Sequence, residues 1–200
     1  MKRSAIFCSV FTLVLALAPP APQPRAFGAA PSTGKAQILL QDLEGRAAPA
    51  FDDAARVASV YFFIIHDCPI CNTYAPEINR ISQDYQTSGI AFHIVYVEND
   101  LSRAEAKKHA LERRFTCPVL LDPQRRLVKF TGAVTAPEAV VLSPDRKVLY
   151  RGRIDNRMLG WSVMHMPNVH DLRDALTAIQ NGQAAARPWK PPVGCAISTP

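Results

Sequence analysis

The chain has 200 residues, 48% apolar content and a formal charge of +6. That length sets one domain as the prior, and the composition is that of an ordinary globular protein. There is no run of Lys/Arg with interleaved aromatics, so nucleic acid is not implied as a partner, and there is no internal repeat or heptad pattern.

The N-terminus reads as a targeting segment. Met1-Lys2-Arg3 is basic, residues 6–18 are apolar and uncharged, and residues 19–24 are proline-rich. Ala26-Phe27-Gly28 offers small residues at the two positions a signal peptidase reads. This predicts a secretory signal peptide over 1–28, with an apolar part too short for an ordinary transmembrane span. An uncleaved anchor is the alternative. Cleavage would leave a periplasmic or otherwise exported chain with no stable membrane insertion. Cys8 lies too early to be a lipoprotein cysteine. The leader takes Lys2, Arg3 and Arg25 with it and no acid, leaving 20 of the 23 cations against all 17 acids. Cys68, Cys71, Cys117 and Cys195 remain, in an oxidising compartment where disulfides persist. Four cysteines allow three pairings, and counting does not choose among them.

Residues 29–35 are small and polar and predict a flexible leader; the folded domain is expected over 36–182. Ile38-Leu39-Leu40 and Asp42-Leu43-Glu44-Gly45 read as a short strand and turn. The uninterrupted apolar run over 57–65 suits a central strand covered on both faces. Ile70, Tyr74, Ile78, Ile81 and Tyr85 then recur at helical spacing. Pro76 lies inside that helix, where it removes a hydrogen bond and predicts a kink. A second strand is expected over 90–97. Ser102-Arg103-Ala104-Glu105 is a capping box opening a helix to about Phe115. A short strand and turn over 117–122 and a helical turn over 124–130 follow. Strands over 139–142 and 148–151 are joined by a hairpin turn. Asn168 is expected to cap a last helix whose apolar face is Val169, Leu172, Leu176 and Ile179. Residues 183–200 form a proline-rich tail with one apolar patch, Val193-Gly194-Cys195-Ala196-Ile197. The order predicts an α/β domain of three layers, a central mixed sheet flanked by helices.

Cys68-Pro69-Ile70-Cys71 falls where the buried strand ends and the helix begins. The free N–H groups of a helix's first turn favour a thiolate, and the thiolate is the nucleophile in disulfide exchange. The pattern therefore predicts a redox-active dithiol. A structural disulfide and half of a metal site are the alternatives.

The CxxC at a strand-to-helix junction, Pro76 eight residues after Cys68, and Thr135-Ala136-Pro137 before a strand together resemble the thioredoxin superfamily. The resemblance covers roughly residues 36–181. Within it the chain is most similar to the exported redoxin-like group of bacteria, the AhpC/TSA and TlpA relatives. The resemblance implies a thiol–disulfide oxidoreductase with Cys68 as nucleophile and Cys71 as resolving thiol. It also implies a cis Pro137 and Ala136 as an extended edge that pairs with a substrate chain. Partners would be thiol or disulfide proteins, as substrate and as redox donor, with no bound cofactor and no metal.

The chain departs from the thioredoxin pattern at one position and from the peroxiredoxin pattern at two. Asp67 stands where thioredoxins have tryptophan, and its charge opposes a neighbouring thiolate. Tyr61 and Ile65 stand where peroxiredoxins carry Pro and Thr/Ser. Without that hydroxyl the usual peroxide-activating network is missing, so a peroxiredoxin-like peroxide reductase with antioxidant activity ranks below thiol–disulfide exchange as an alternative. Another is a copper-binding assembly factor using Cys68, Cys71 and a histidine. His66 could support a thiolate or bind copper; His93 reads as a core histidine. Met164-His165-Met166 has soft, copper-like ligands, or is a loop packed on the domain. Cys195 could be a third redox thiol reaching Cys68 or Cys71, because the apolar patch gives the tail a reason to dock. It could equally pair with Cys117, or both could be free.

Overall fold

The computed structural model describes residues 37–51, 55 and 57–198. The expected signal peptide, the leader and Cys8 lie outside the described residues.

The fold is built on strand β3 (Ala58–Ile64), of which every residue is buried. Its apolar character on both faces is what a central position requires. After it come β4 (Ile90–Tyr96), β5 (Val119–Leu121), β7 (Glu138–Leu142) and β8 (Val148–Gly152). Ahead of β3 come β1 (Leu39–Gln41) and β2 (Ala47–Pro49). These seven form one mixed sheet in the order β2-β1-β5-β4-β3-β7-β8. β3 pairs β4 in parallel and β7 antiparallel. The parallel pairings need crossovers. Helix α1 (Pro69–Asp84) supplies one and α2 (Arg103–Glu112) the other. Helices α3 (Arg126–Thr131) and α4 (Asp171–Gln180) complete the set. The three-layer α/β architecture with a mixed sheet is as the sequence predicts.

Two further strands lie apart from that sheet. β6 (Thr135–Ala136) and β9 (Cys195–Ala196) pair antiparallel as a separate two-stranded sheet. The extended edge at Ala136 is expected from the resemblance; its pairing with a strand of the tail is not, and nor is β2.

Local chemistry explains the element ends. Ser102 accepts from the Glu105 N–H at 3.2 Å while Glu105 accepts from the Ser102 N–H at 3.0 Å, the reciprocal capping box that opens α2. Buried Asp122 accepts from the N–H groups of Arg126, Leu127 and Val128 at 2.8, 2.9 and 3.0 Å, which starts α3. Asn168 does not cap α4, which starts after His170. The Asn168 side-chain oxygen instead accepts from Asn156 at 2.6 Å, and the Asn168 N–H donates back to Asn156 at 3.0 Å. Asn156 takes the side chain that the cap would need.

Helix α1 is fixed to its surroundings by a buried charge cluster. Glu77 accepts from Arg173 at 2.9 Å and lies 3.5 Å from Arg157. Arg157 in turn holds the buried Asp155 carboxylate at 2.6 Å, and the Tyr74 hydroxyl donates to the Asp155 carbonyl at 3.2 Å. Buried ion pairs of this kind orient more than they stabilise, because desolvation offsets much of their attraction. Here they join α1 to α4 and to the segment after β8. Among the described residues, no helix is long and apolar enough to cross a membrane.

Candidate active site

Cys68 is the N-cap of α1, with Pro69 as the first helical residue. Proline suits that position because its missing N–H is one the helix could not satisfy anyway. Cys68 is only 2% exposed. Cys71 lies one turn further in and is buried. Its Sγ accepts from the Ile65 N–H at 3.5 Å. Burial pushes the Cys71 thiol up to about 12, and the charges of Glu98 and Asp67 push the same way.

Cys68 is bonded to Cys195, across 127 residues of chain, with 6.4 Å between the Cα atoms. Cys71 and Cys117 are free thiols. Of the three readings for Cys195, the one that brings it to the dithiol is the one realised, and the Cys117–Cys195 pairing does not form. Burial pushes the Cys117 thiol up to about 12 as well.

The tail reaches Cys68 along a defined path. The Lys190 carbonyl accepts from the Arg153 N–H at 3.0 Å, and Trp189 packs on Tyr150 with ring centres 5.9 Å apart. β9 then lies on β6, with Cys195 opposite Ala136 and Ala196 opposite Thr135. The Ile197 N–H donates to the Val134 carbonyl at 2.9 Å. The Ala136–Pro137 peptide is cis, as expected from the sequence. The Cys68 sulfur sits 3.7 Å from the Ala136 carbonyl oxygen. Cys68, Ala136, Pro137 and Cys195 therefore converge at one point, with Cys71 behind them. The edge expected to receive a substrate strand carries the chain's own tail.

Sequence reasoning missed Glu138. It is buried, and its carboxylate accepts from the N–H groups of Val134 and Thr135 at 2.8 and 3.2 Å. Those two amides are thereby turned away from the tail, while the Val134 carbonyl faces it. Burial pushes the Glu138 carboxyl up, and the two amides and Arg151 work the other way. The signal in the sequence is an acid opening the apolar strand Glu138-Ala139-Val140-Val141-Leu142.

A polar group flanks the dithiol on its other side. The His66 ring Nδ1 lies 2.5 Å from Glu98 Oε1, which also accepts from the His66 backbone N–H at 3.0 Å. Burial works against the His66 cation, but the hydrogen bond and charge of Glu98 more than offset it and raise its pKa. Asn72 donates to the His66 carbonyl at 3.2 Å and accepts from His109 Nε2 at 2.7 Å. The Tyr96 hydroxyl donates to His109 Nδ1 at 2.6 Å. Burial, followed by the charge of Arg113, brings His109 down to about 4, so it is a neutral imidazole relaying a hydrogen bond. His93 stacks on Tyr61 in mid-sheet, as a core histidine should. His165 Nε2 donates to the Asn156 carbonyl at 2.5 Å, which takes that nitrogen away from a metal between Met164 and Met166.

His66, Asp67 and Glu98 each bring one ligand atom to within 4.8 Å of the others and could hold a cation. Two carboxylates and an imidazole are harder donors than copper(I) selects. The copper reading needs the Cys68 thiolate, which the disulfide removes. A cavity of about 610 Å³ lined by Leu43, Leu111, Phe115 and Cys117 includes no residue of the dithiol site. What adjoins the dithiol is a strand edge.

The Redoxin family model matches residues 43–159. The thioredoxin-like protein SkfH of Bacillus subtilis (strain 168) is 24% identical over 105 residues, 52% of this chain and 72% of that protein. An uncharacterized conserved protein from Geobacillus kaustophilus has the same fold, with TM-score 0.72 and 25% identity over 82% of this chain and 89% of that one. A secreted disulfide oxidoreductase of Mycobacterium tuberculosis superposes with TM-score 0.50 and 16% identity over 73% of this chain and 96% of that one. With its CxxC, its cis-proline loop and a family match across more than half its length, the chain belongs to the Redoxin family of the thioredoxin superfamily.

Proposed function

We propose that the protein is an exported thiol–disulfide oxidoreductase that exchanges disulfides with partner proteins through Cys68. One observation carries this reading: Cys68 already holds a disulfide to a strand lying on the Ala136–Pro137 edge. That is the form of a mixed disulfide with a bound chain, made within one molecule. The likeness to thioredoxin-like and disulfide-exchanging proteins supports it. Export rests on the leader pattern and on the secreted relative.

The Cys68 thiolate attacks a partner disulfide; a bond forms between Cys68 and one partner sulfur, and the other leaves as a thiolate. Cys71, once deprotonated, attacks the Cys68 sulfur and releases the partner's second thiolate. The partner is reduced by two electrons and Cys68–Cys71 is oxidised. Cys195 is the third redox thiol. Attack of Cys71 on the Cys68–Cys195 bond gives Cys68–Cys71 and a free Cys195 thiolate, with no net electron change. The burial that raises the Cys71 pKa makes this step slow at neutral pH.

Peroxide reduction is the weaker reading. The Tyr61 hydroxyl donates to the Ala50 carbonyl at 2.7 Å, and Ile65 has no hydroxyl to offer a peroxide. A Cys71→Ser chain tests the proposal, since it cannot resolve a mixed disulfide with a partner. Expressed in its own compartment, it should accumulate partner proteins on Cys68 that reductant releases. Recovery of no such adduct, with Cys195 also changed to serine so that the tail cannot occupy Cys68, would sink it.

A further inference from the structure

We propose that the seat of the tail defines the partner class. It is an extended segment with glycine immediately before its reacting cysteine and an aliphatic side chain two residues after it. This rests on the exchange reading above and adds which chains the site accepts.

Three features of the docked tail carry the inference. The first is Gly194. A Cβ built there would lie 2.7 Å from the Ala136 carbonyl carbon and 3.1 Å from Pro137 Cδ, and closer still to the Ala136 oxygen. These are backbone and ring atoms at the centre of the site, so they cannot swing aside as the end of a long side chain could. Any residue but glycine at that place must push the strand off β6. The second is Ile197, which is 5% exposed and joins the core, while its N–H is held by the Val134 carbonyl. Burying a side chain of that size favours the docked strand. The third is Ala196 between them, which is exposed and unrestricted.

Val193, Cys195 and Ile197 all pack against the core. Gly194 is a bend just before β9, and its backbone comes too close to Ala136 and Pro137 for a side chain. The rule follows from the β6 edge itself, so it applies to any strand that pairs there in the same register. Partners are then recognised by a Gly-Cys-x-aliphatic segment, and each competes with the chain's own Val193-Gly194-Cys195-Ala196-Ile197.

The test uses the full-length Cys195→Ser chain, reduced, with three synthetic peptides each carrying glutathione on its cysteine. The peptides are Val-Gly-Cys-Ala-Ile, Val-Ala-Cys-Ala-Ile and Val-Gly-Cys-Ala-Ser, and glutathione disulfide is the unselective control. Attack by Cys68 on the peptide sulfur releases one glutathione per event. The first peptide should react at least tenfold faster than either of the others. Rates within twofold of one another, with glutathione disulfide still consumed, overturn the partner class and leave the exchange reading standing. No reaction with any disulfide overturns both. A second measurement uses Gly194→Ala in the otherwise native chain. Against a glutathione buffer, the equilibrium constant for forming the Cys68–Cys195 bond from the two thiols should fall at least tenfold, about 30 mV for a two-electron couple. An unchanged constant also overturns the proposal.

Discussion

The Cys68–Cys195 bond closes a loop of 127 residues, and cutting it should cost stability through the unfolded chain. In the chain-entropy account, a cross-link of roughly that span removes about 5 kcal/mol of freedom from the unfolded state. Native disulfides more often deliver about 2–4 kcal/mol, because unfolded chains retain structure. In domains of this size each 1 kcal/mol moves Tm by about 2–4 °C. The oxidised native chain should therefore melt roughly 10 °C above an oxidised Cys195→Ser chain. A Cys68–Cys71 bond forming in its place spans too few residues to restore the loss. Reductant should bring the native chain down to nearly the same Tm, while moving the Cys195→Ser chain little. Calorimetry on the two chains, with and without reductant, makes the comparison. If the oxidised chains melt within about 2 °C of each other, the tail is not covalently closed in solution and the reasoning fails.

Two further outcomes follow from buried polar groups. His109 has a folded pKa of about 4 against an ordinary 6.5, so between those values the unfolded chain binds a proton that the folded chain does not. Its contribution is present above about pH 6.5 and lost as pH falls toward 4, up to ~3 kcal/mol; His109→Gln should flatten urea-derived stability across that window, and an unaltered slope would refute it. Glu138→Ala should leave the Val134 and Thr135 amides without their acceptor, costing about 1–3 kcal/mol and slowing disulfide exchange at Cys68, whereas Glu138→Gln retains an acceptor oxygen and should lose less. Equal exchange rates for the alanine, glutamine and native chains would show that Glu138 does not position the β6 edge.

Much of this architecture was legible because its signals are local. The apolar run through β3, the helical spacing after Cys68 and the Ser102–Glu105 capping box each sit within one element. They therefore report that element directly. The proline loop was legible through its resemblance to a known family. The pairing of β6 with β9 was not, since a two-residue strand has no period and its partner edge lies some 60 residues away in sequence. The apolar patch around Cys195 signalled that the tail docks, but not where. Glu138 was hidden by its setting, because an acid in an apolar strand can equally mark an exposed edge. Asn168 misled because its side chain has the right chemistry for a cap and a nearer claimant in Asn156. β2 was missed because Ala47-Ala48-Pro49 has little strand character of its own; the turn at Asp42 and pairing to β1 impose it.

The dimensions of the tail strand bear on how the site can work. β9 and β6 are two residues each, and a ladder that short has no independent stability in water. Ile197 contributes about 1.5–3 kcal/mol by burial, and its hydrogen bond to Val134 contributes about 1 kcal/mol. Against this stands the ordering of residues 193–197, about 1–2 kcal/mol for each backbone unit fixed. The non-covalent terms are therefore no larger than the cost they oppose, and the Cys68–Cys195 bond tips the balance. Such a balance suits an exchange site. A tail that bound firmly without the bond would exclude every partner from the Ala136 edge. A tail with no affinity would leave an unpaired edge open beside a reactive thiol. Weak pairing tethered by one reducible bond covers the edge while the bond lasts and frees it once the bond is exchanged.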